Sequence, residues 1–265
     1  MITAETVVRR VRKAIDEATA GSASFDELLR ELQQAGRCAV VGGAVRDWAF
    51  HHTPRDVDII VDTQPEILAS VLSKHHVQRT GMGGFRVRTD RVTCDIWPLS
   101  ETWAFRTSSF PKSIASFPQT AFFNVDGVAV GIDGWRIYEA NFIDAWSHGF
   151  LDINYEPNPR PLVCVARAFG VAAKYELRFS TAVCLYVSGQ VASRRAWEDV
   201  KSIYSVRYGR ALTVAGLAAV MGGAEQGGMV YDRILSFERD LHSRGTNSKP
   251  RTTLRPKRAR KKRQR

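Results

Sequence analysis

Cysteine is scarce in this chain: four residues in 265, at Cys38, Cys94, Cys164 and Cys184. None belongs to a C-x-x-C pair, and no histidine pair stands near them at ligand spacing, so the patterns of zinc sites and disulfide frameworks are missing. Cys38 and Cys94 sit in apolar stretches and are expected to be buried, reduced thiols. Long apolar runs are also missing. The longest, around Leu212 to Gly223, is too short and glycine-rich to span a bilayer. The N-terminus is charged and amphipathic, without the apolar segment of a secretory signal. A cytoplasmic protein with no membrane attachment is expected. Acid is absent from one stretch in particular. Lys249 to Arg265 holds ten Lys/Arg and no Asp or Glu, so the net charge of +11 leaves 11 − 10 = +1 for the 248 residues before it.

What is present suits a globular body with a basic tail. The hydrophobic share is 44%, ordinary for a packed domain, and the length allows one large domain or two small ones. Thr3 to about Ala20 carries Val7, Val8, Val11 and Ile15 at helical spacing, with Arg9, Arg10, Arg12 and Lys13 between them. Ser24-Phe25-Asp26-Glu27 reads as a capping box opening a second helix that Gly36 ends. Cys38 to Val41, the stretch from Asp56 to Val61, Val77 to Arg79, Phe85 to Arg88 and Val92 to Trp97 read as strands. Thr63-Gln64-Pro65-Glu66 opens a helix to about Lys74. Ala121 to Val130 reads as a hairpin turning at Asp126-Gly127. From Pro159 onward the pattern is helical: Val163 to Tyr175, Ala182 to Val187, Val191 to Tyr204, Ala211 to Met221 and Val230 to His242.

The chemistry concentrates in Val40-Val41-Gly42-Gly43-Ala44-Val45-Arg46-Asp47 and in Asp56-Val57-Asp58-Ile59-Ile60-Val61. The first stretch is a strand that ends in a glycine pair and opens a helix. In the second, strand alternation puts Asp56 and Asp58 on one face and Val57 and Ile59 in the core. Paired carboxylates beside exposed backbone N–H groups suit a divalent metal and a triphosphate. Two readings stand for Arg46: a partner for a phosphate or nucleotide, or an ion pair with Asp47 that fixes the turn. Asp95 is a carboxylate in the apolar strand Cys94-Asp95-Ile96-Trp97, where a hairpin-edge residue facing water is one reading.

Gly42-Gly43-Ala44-Val45-Arg46-Asp47 followed by Asp56-Val57-Asp58 resembles the head-domain signature of the tRNA CCA-adding enzyme and bacterial poly(A) polymerase group of nucleotidyltransferases. Asp144, Gly149 and Asp152 are similar to that group's link from head to neck, and Cys164 to Tyr175 resembles its neck helix. The chain departs from the group at Ser113 to Thr120, where an Arg-Arg-Asp is usual. In the neck helix, Arg167 is the one clear survivor of the arginines that read the incoming base.

The resemblance implies an α+β fold: a polymerase β-like mixed-sheet head followed by an α-helical neck-like region. Its implied divisions are N-terminal helices at 1–36, head at 37–155, neck at 156–245 and a disordered basic tail at 246–265. It implies a two-metal nucleotidyltransferase using Mg²⁺ or Mn²⁺ and an NTP. Asp56, Asp58 and Asp95 would be the catalytic metal ligands. Gly42, Gly43, Arg46, Asp47 and Arg167 would bind the nucleotide. The implied acceptor is an RNA 3′ end, tRNA-like, with Lys249 to Arg265 gripping phosphates. The alternative within the same chemistry is a small-molecule or protein acceptor.

Overall fold

The computed structural model describes residues 2–221 and 225–245. The basic tail at 246–265 lies outside them. Val7, Val11 and Ile15 recur on one side of α1 (Ala4–Ala20) and are buried. They pack with Phe25, Leu28 and Leu32 of α2 (Ala23–Ala35). The cap of α2 is Ser22, two residues before the box read from the sequence; its hydroxyl accepts the Phe25 N–H at 3.1 Å. The Ser22 and Ser24 hydroxyls both donate to Asp90 in a distant turn, Ser24 at 2.5 Å.

The head then alternates strands and helices: β1 (Arg37–Val41), α3 (Gly43–Ala49), β2 (Val57–Asp62), α4 (Pro65–Leu72), β3 (Val77–Arg79), β4 (Phe85–Arg88) and β5 (Thr93–Pro98). After α5 (Trp103–Thr107) and two 3₁₀ turns at Phe117–Thr120 and Asn124–Asp126 come β6 (Val128–Gly131) and β7 (Ile137–Glu139). The seven strands form one mixed sheet in the order β3-β4-β5-β2-β1-β6-β7. β1 runs antiparallel to β2 and β6, while β2 and β5 are parallel. The fold class is α+β.

Side-chain alternation divides the sheet into two faces. Cys38, Val40, Val57, Ile59, Cys94 and Ile96 point into the core under the helices α1 to α4. Ala39, Val41, Ile60 and Ala129 point the other way and meet Leu99, Phe105 and Ile114 of the 99–120 segment. Asp58 and Asp95 share the parity of Ile60 and Trp97, so they belong to this second, less covered face.

The hairpin expected at Ala121 to Val130 forms later in the chain. β6 pairs with β7 across residues 132–136, and Asp126 lies in a 3₁₀ turn before β6. Both ends of this turn are tied down. Asn124 accepts the backbone N–H groups of Val125 and Asp152 and donates to the Phe150 carbonyl, and the Asp126 carboxylate is taken by two arginines.

The chain continues through α6 (Phe142–His148), β8 (Phe150–Leu151), α7 (Pro161–Tyr175), β9 (Arg178–Phe179), α8 (Thr181–Gln190), α9 (Arg194–Tyr208), α10 (Val214–Met221) and α11 (Glu225–Gly245). These helices enclose their own core around Phe169, Val183, Trp197 and Val200, with Trp197 edge-on to Phe169 at 6.1 Å. All four cysteines are free and buried. Burial pushes the Cys38 and Cys94 thiols up to about 12, so both stay protonated. Among the described residues, no helix is long and apolar enough to cross a membrane.

Candidate active site

The site lies where β1, β2 and β5 meet α3 and α7. β1 is followed by Gly42, whose φ of 61° favours glycine. The Gly42 N–H donates to Val128 O at 2.9 Å, and its carbonyl accepts the Arg46 N–H at 3.0 Å. The turn is thus anchored to β6 on one side and to α3 on the other. β2 begins at Val57, so Asp56 stands just before the strand and Asp58 within it. The parallel register pairs Asp58 with Asp95 directly. That adjacency could not be read from a single strand's alternation.

The three carboxylates have different partners. Arg55 donates to Asp56 at 2.7 and 3.2 Å. Arg86, opposite Asp95 in the β4–β5 ladder, grips Asp95 with two hydrogen bonds of 2.6 and 2.5 Å and passes 3.7 Å from Asp56. Asp58 has no hydrogen bond or ion pair among the described residues. Desolvation, and then the charges of Asp56 and Asp95, push its carboxyl up to about 7. Arg167 offsets this only in part, and an oxygen donor left without a hydrogen-bond partner beside other carboxylates suits a hard divalent cation.

Asp56 and Asp58 therefore fit Mg²⁺ or Mn²⁺, and they line the same two cavities. Asp95 is next to them but bound to Arg86. Among the described residues, no three His, Cys, Asp or Glu side chains are gathered closely enough to hold an ion as they stand.

Arg46 and Asp47 form a buried network. Arg46 donates to Asp47 at 2.9 and 3.0 Å and also bonds Asp126. Asp126 accepts from Arg167 of α7 at 2.7 Å. Asp47 accepts from Lys174 at 2.7 Å and from the Tyr175 hydroxyl, both at the end of α7. Burial opposes the charge on Arg46, but Asp126 and Asp47 outweigh it and raise its pKa. Burial likewise opposes the charge on Asp47, while Arg46 and Lys174 bring its carboxyl below the ordinary value. Arg46 thus sits where the ion-pair reading put it, with Asp126, Lys174 and Tyr175 as added members.

Gly43, Asp58 and Arg167 face common space. One cavity of about 250 Å³ lies between the glycine turn and α7, with Arg55, Arg167, Lys174 and Arg207 on its walls. A second, over Asp56, Asp58 and Asp95, adds Arg79, Arg86 and Arg160. A ring of arginines around carboxylates can neutralise a polyphosphate while a cation satisfies the acids. Sequence reasoning passed over Arg55, Arg86, Asp126 and Arg207. Arg86 alone left a local signal, as a cation on the strand that forms a hairpin with Asp95.

Residues 38–123 match the Poly A polymerase head domain. No curated protein matches the chain. Among solved structures, a CCA-adding enzyme in an apo form superposes with a TM-score of 0.52 at 13% identity, over 83% of this chain and 52% of that one. The Bacillus stearothermophilus CCA-adding enzyme in complex with CTP gives 0.52 at 14% identity, over 73% and 50%. A tRNA-processing enzyme with CTP gives 0.50 at 12% identity, over 79% and 55%. The chain spans about half the length of these structures. Residues 38–123, with the glycine turn and the Asp56/Asp58 strand inside them, are the part of this chain that is similar to the Poly A polymerase head domain.

Proposed function

We propose that the chain is a metal-dependent nucleotidyltransferase that moves a nucleotidyl group from an NTP to the 3′ hydroxyl of an RNA, with a tRNA-like acceptor. The observation that carries this reading is Asp58: an unpaired carboxylate next to Asp56 and Asp95, beside the Gly42-Gly43 turn and under a cluster of arginines. Three solved structures of like fold are a CCA-adding enzyme, a second one with CTP, and a tRNA-processing enzyme with CTP. The CTP in the last two supports a nucleoside triphosphate as donor, and tRNA processing by the last supports the acceptor class.

In the reaction the acceptor oxygen forms a bond to the α-phosphorus, and the bond from that phosphorus to the β-phosphate oxygen breaks. Pyrophosphate leaves, and the hydroxyl proton is lost to solvent. Asp56 and Asp58 would hold Mg²⁺ or Mn²⁺, which supplies charge neutralisation at the transferring phosphate. Gly42 and Gly43 keep side chains away from the turn, so a phosphate can approach the backbone. Arg55, Arg167, Lys174 and Arg207 neutralise the triphosphate. Asp95 lies beside Asp58 and would be a third ligand if Arg86 released it.

The head at 37–155 and the neck at 156–245 act together through Asp47 and Asp126, and the N-terminal helices at 1–36 brace the head. The tail at 246–265, with its ten cations from Lys249 on, adds salt-sensitive grip on the RNA backbone. Such an enzyme works in the cytoplasm. The test is incubation with Mg²⁺, each α-³²P-labelled NTP in turn and total RNA, followed by tracing of the label and sequencing of 3′ ends. Nucleotides added to RNA 3′ ends support the proposal. Label found only on protein or on a small hydroxyl compound would move the acceptor to the alternative class, and no label anywhere would sink the proposal.

A further inference from the structure

The open face of the sheet bears a third cavity, of about 290 Å³, near the lower limit of the roughly 300–1,000 Å³ typical of small-molecule sites. Val41, Ile60 and Trp97 of the sheet line it together with Trp103 and Phe117 of the 99–120 segment, and Gly43 and Asp58 also border it. It therefore opens on the carboxylate at the centre of the site.

Phe117 packs edge-on to Phe105 in the core of this face, but the two tryptophans do not. Trp97 and Trp103 are both half-buried, and among the described residues neither stacks on another ring. The position of Trp97 depends on Gly84 in the neighbouring strand segment. A Cβ at Gly84 would fall 2.1 Å from the indole nitrogen and 2.4 Å from Cδ1, so the indole lies flat in space that only glycine leaves. Trp97 is two residues beyond Asp95 and points to the same face. Asn158, Thr102 and Thr120 add polar groups to the lining.

Charge distinguishes this cavity from its neighbours. Among the described residues its one cation is Arg167, set against Asp58 and Asp126. The cavity beside α7 carries Arg46, Arg55, Arg167, Lys174 and Arg207. A triphosphate belongs in the second, and an uncharged base with its ribose belongs in the first.

We propose that this aromatic cavity receives the 3′-terminal nucleoside of the acceptor RNA. Its base stacks on Trp97 and Trp103, Asn158 and Thr102 meet the base edge, and the terminal hydroxyl is delivered to Asp58. This rests on the nucleotidyl-transfer reading and names the acceptor subsite of that same centre. Stacking on a π-face is tolerant of base identity, so the subsite recognises that a single-stranded end is present more than which base ends it.

The test is binding without catalysis. A hexaribonucleotide with 2-aminopurine as its 3′-terminal base is titrated with the full chain in EDTA, without NTP. The wild type quenches the 3′ fluorophore, and the same fluorophore at the 5′ end is quenched far less. Trp103→Ala removes most of the 3′ quench and weakens binding of a dinucleotide at least about fivefold, while its melting curve stays close to wild type. Trp103→Phe recovers much of both effects. Equal quenching at the two ends, a Trp103→Ala titration that matches wild type, or indole quenching by free NTP with none by the oligonucleotide would overturn the proposal. Because no transfer occurs in the assay, the two readings separate. End stacking without any transfer activity would sink the catalytic reading alone, and transfer without end stacking would sink the subsite alone.

Discussion

Replacing Asp126 by Asn tests how the head is joined to α7. Asp126 is 6% exposed and accepts from Arg46 of α3 and Arg167 of α7. The substitution keeps the volume and one acceptor oxygen but removes the charge. Breaking a buried ion pair by neutralising one partner costs about 3–5 kcal/mol, because the other charge stays desolvated. Two features place this case at the low end. Arg46 keeps its hydrogen bonds to Asp47 at 2.9 and 3.0 Å, and Arg167, with its side chain 31% exposed, can regain water. About 3 kcal/mol corresponds to a loss of roughly 6–12 °C in melting temperature for a chain near this size. Arg167→Ala, which removes the more exposed partner, should cost about 1 kcal/mol or less. Thermal melts followed by circular dichroism, with urea titration as a check, measure both. An Asp126→Asn melt within about 2 °C of wild type, or a larger loss for Arg167→Ala than for Asp126→Asn, would refute this account of the joint.

Arg86→Gln removes the guanidinium held on Asp95 at 2.5 and 2.6 Å. Affinity for Mn²⁺ in the absence of nucleotide should then rise by about tenfold, the worth of one charged hydrogen bond, as read by calorimetry or by the free-Mn²⁺ spin signal; an unchanged or weaker affinity contradicts the competition. Acid should loosen the α3–α7 joint. The Asp47 carboxyl lies below its ordinary value of 3.8 in the fold, so the native state binds fewer protons than the unfolded chain at low pH. The stability it contributes is full above about pH 4 and is lost as pH falls below that. Asp47→Asn should flatten the acid limb of a plot of melting temperature against pH. Removing residues 246–265 should weaken single-stranded RNA binding and lower the slope of log affinity against log salt by about 0.7 for each phosphate that the tail neutralises, and an unchanged slope would assign the tail another role.

Local patterns made much of this fold legible. The strand–Gly-Gly–helix turn, the Asp-x-Asp strand and the later helices follow from alternation, glycine and 3.6-residue spacing, which are properties of neighbours in sequence. The register of β2 against β5 places Asp95 beside Asp58, and this follows from sheet topology. Asp126 was hidden for a related reason. Asp-Gly between apolar residues is a strong turn signal, but what fixes Asp126 is Arg46, 80 positions away, and Arg167 beyond it. Ser22, not Ser24, caps α2, and both hydroxyls donate to Asp90, a partner more than 60 positions away. Long-range charge pairing leaves little mark on local sequence, and here it decides which acids stay free for a cation.

The central claim rests on Asp58. The direct measurement is transfer of α-³²P-labelled nucleotide to a short RNA in Mg²⁺, comparing wild type with Asp58→Asn, which keeps the size of the side chain and removes its charge. The account predicts labelled RNA that grows with time for wild type and a rate at least about 100-fold lower for the variant, as expected when a residue that stabilises transition-state charge is lost. Equal labelling by the two proteins would contradict it.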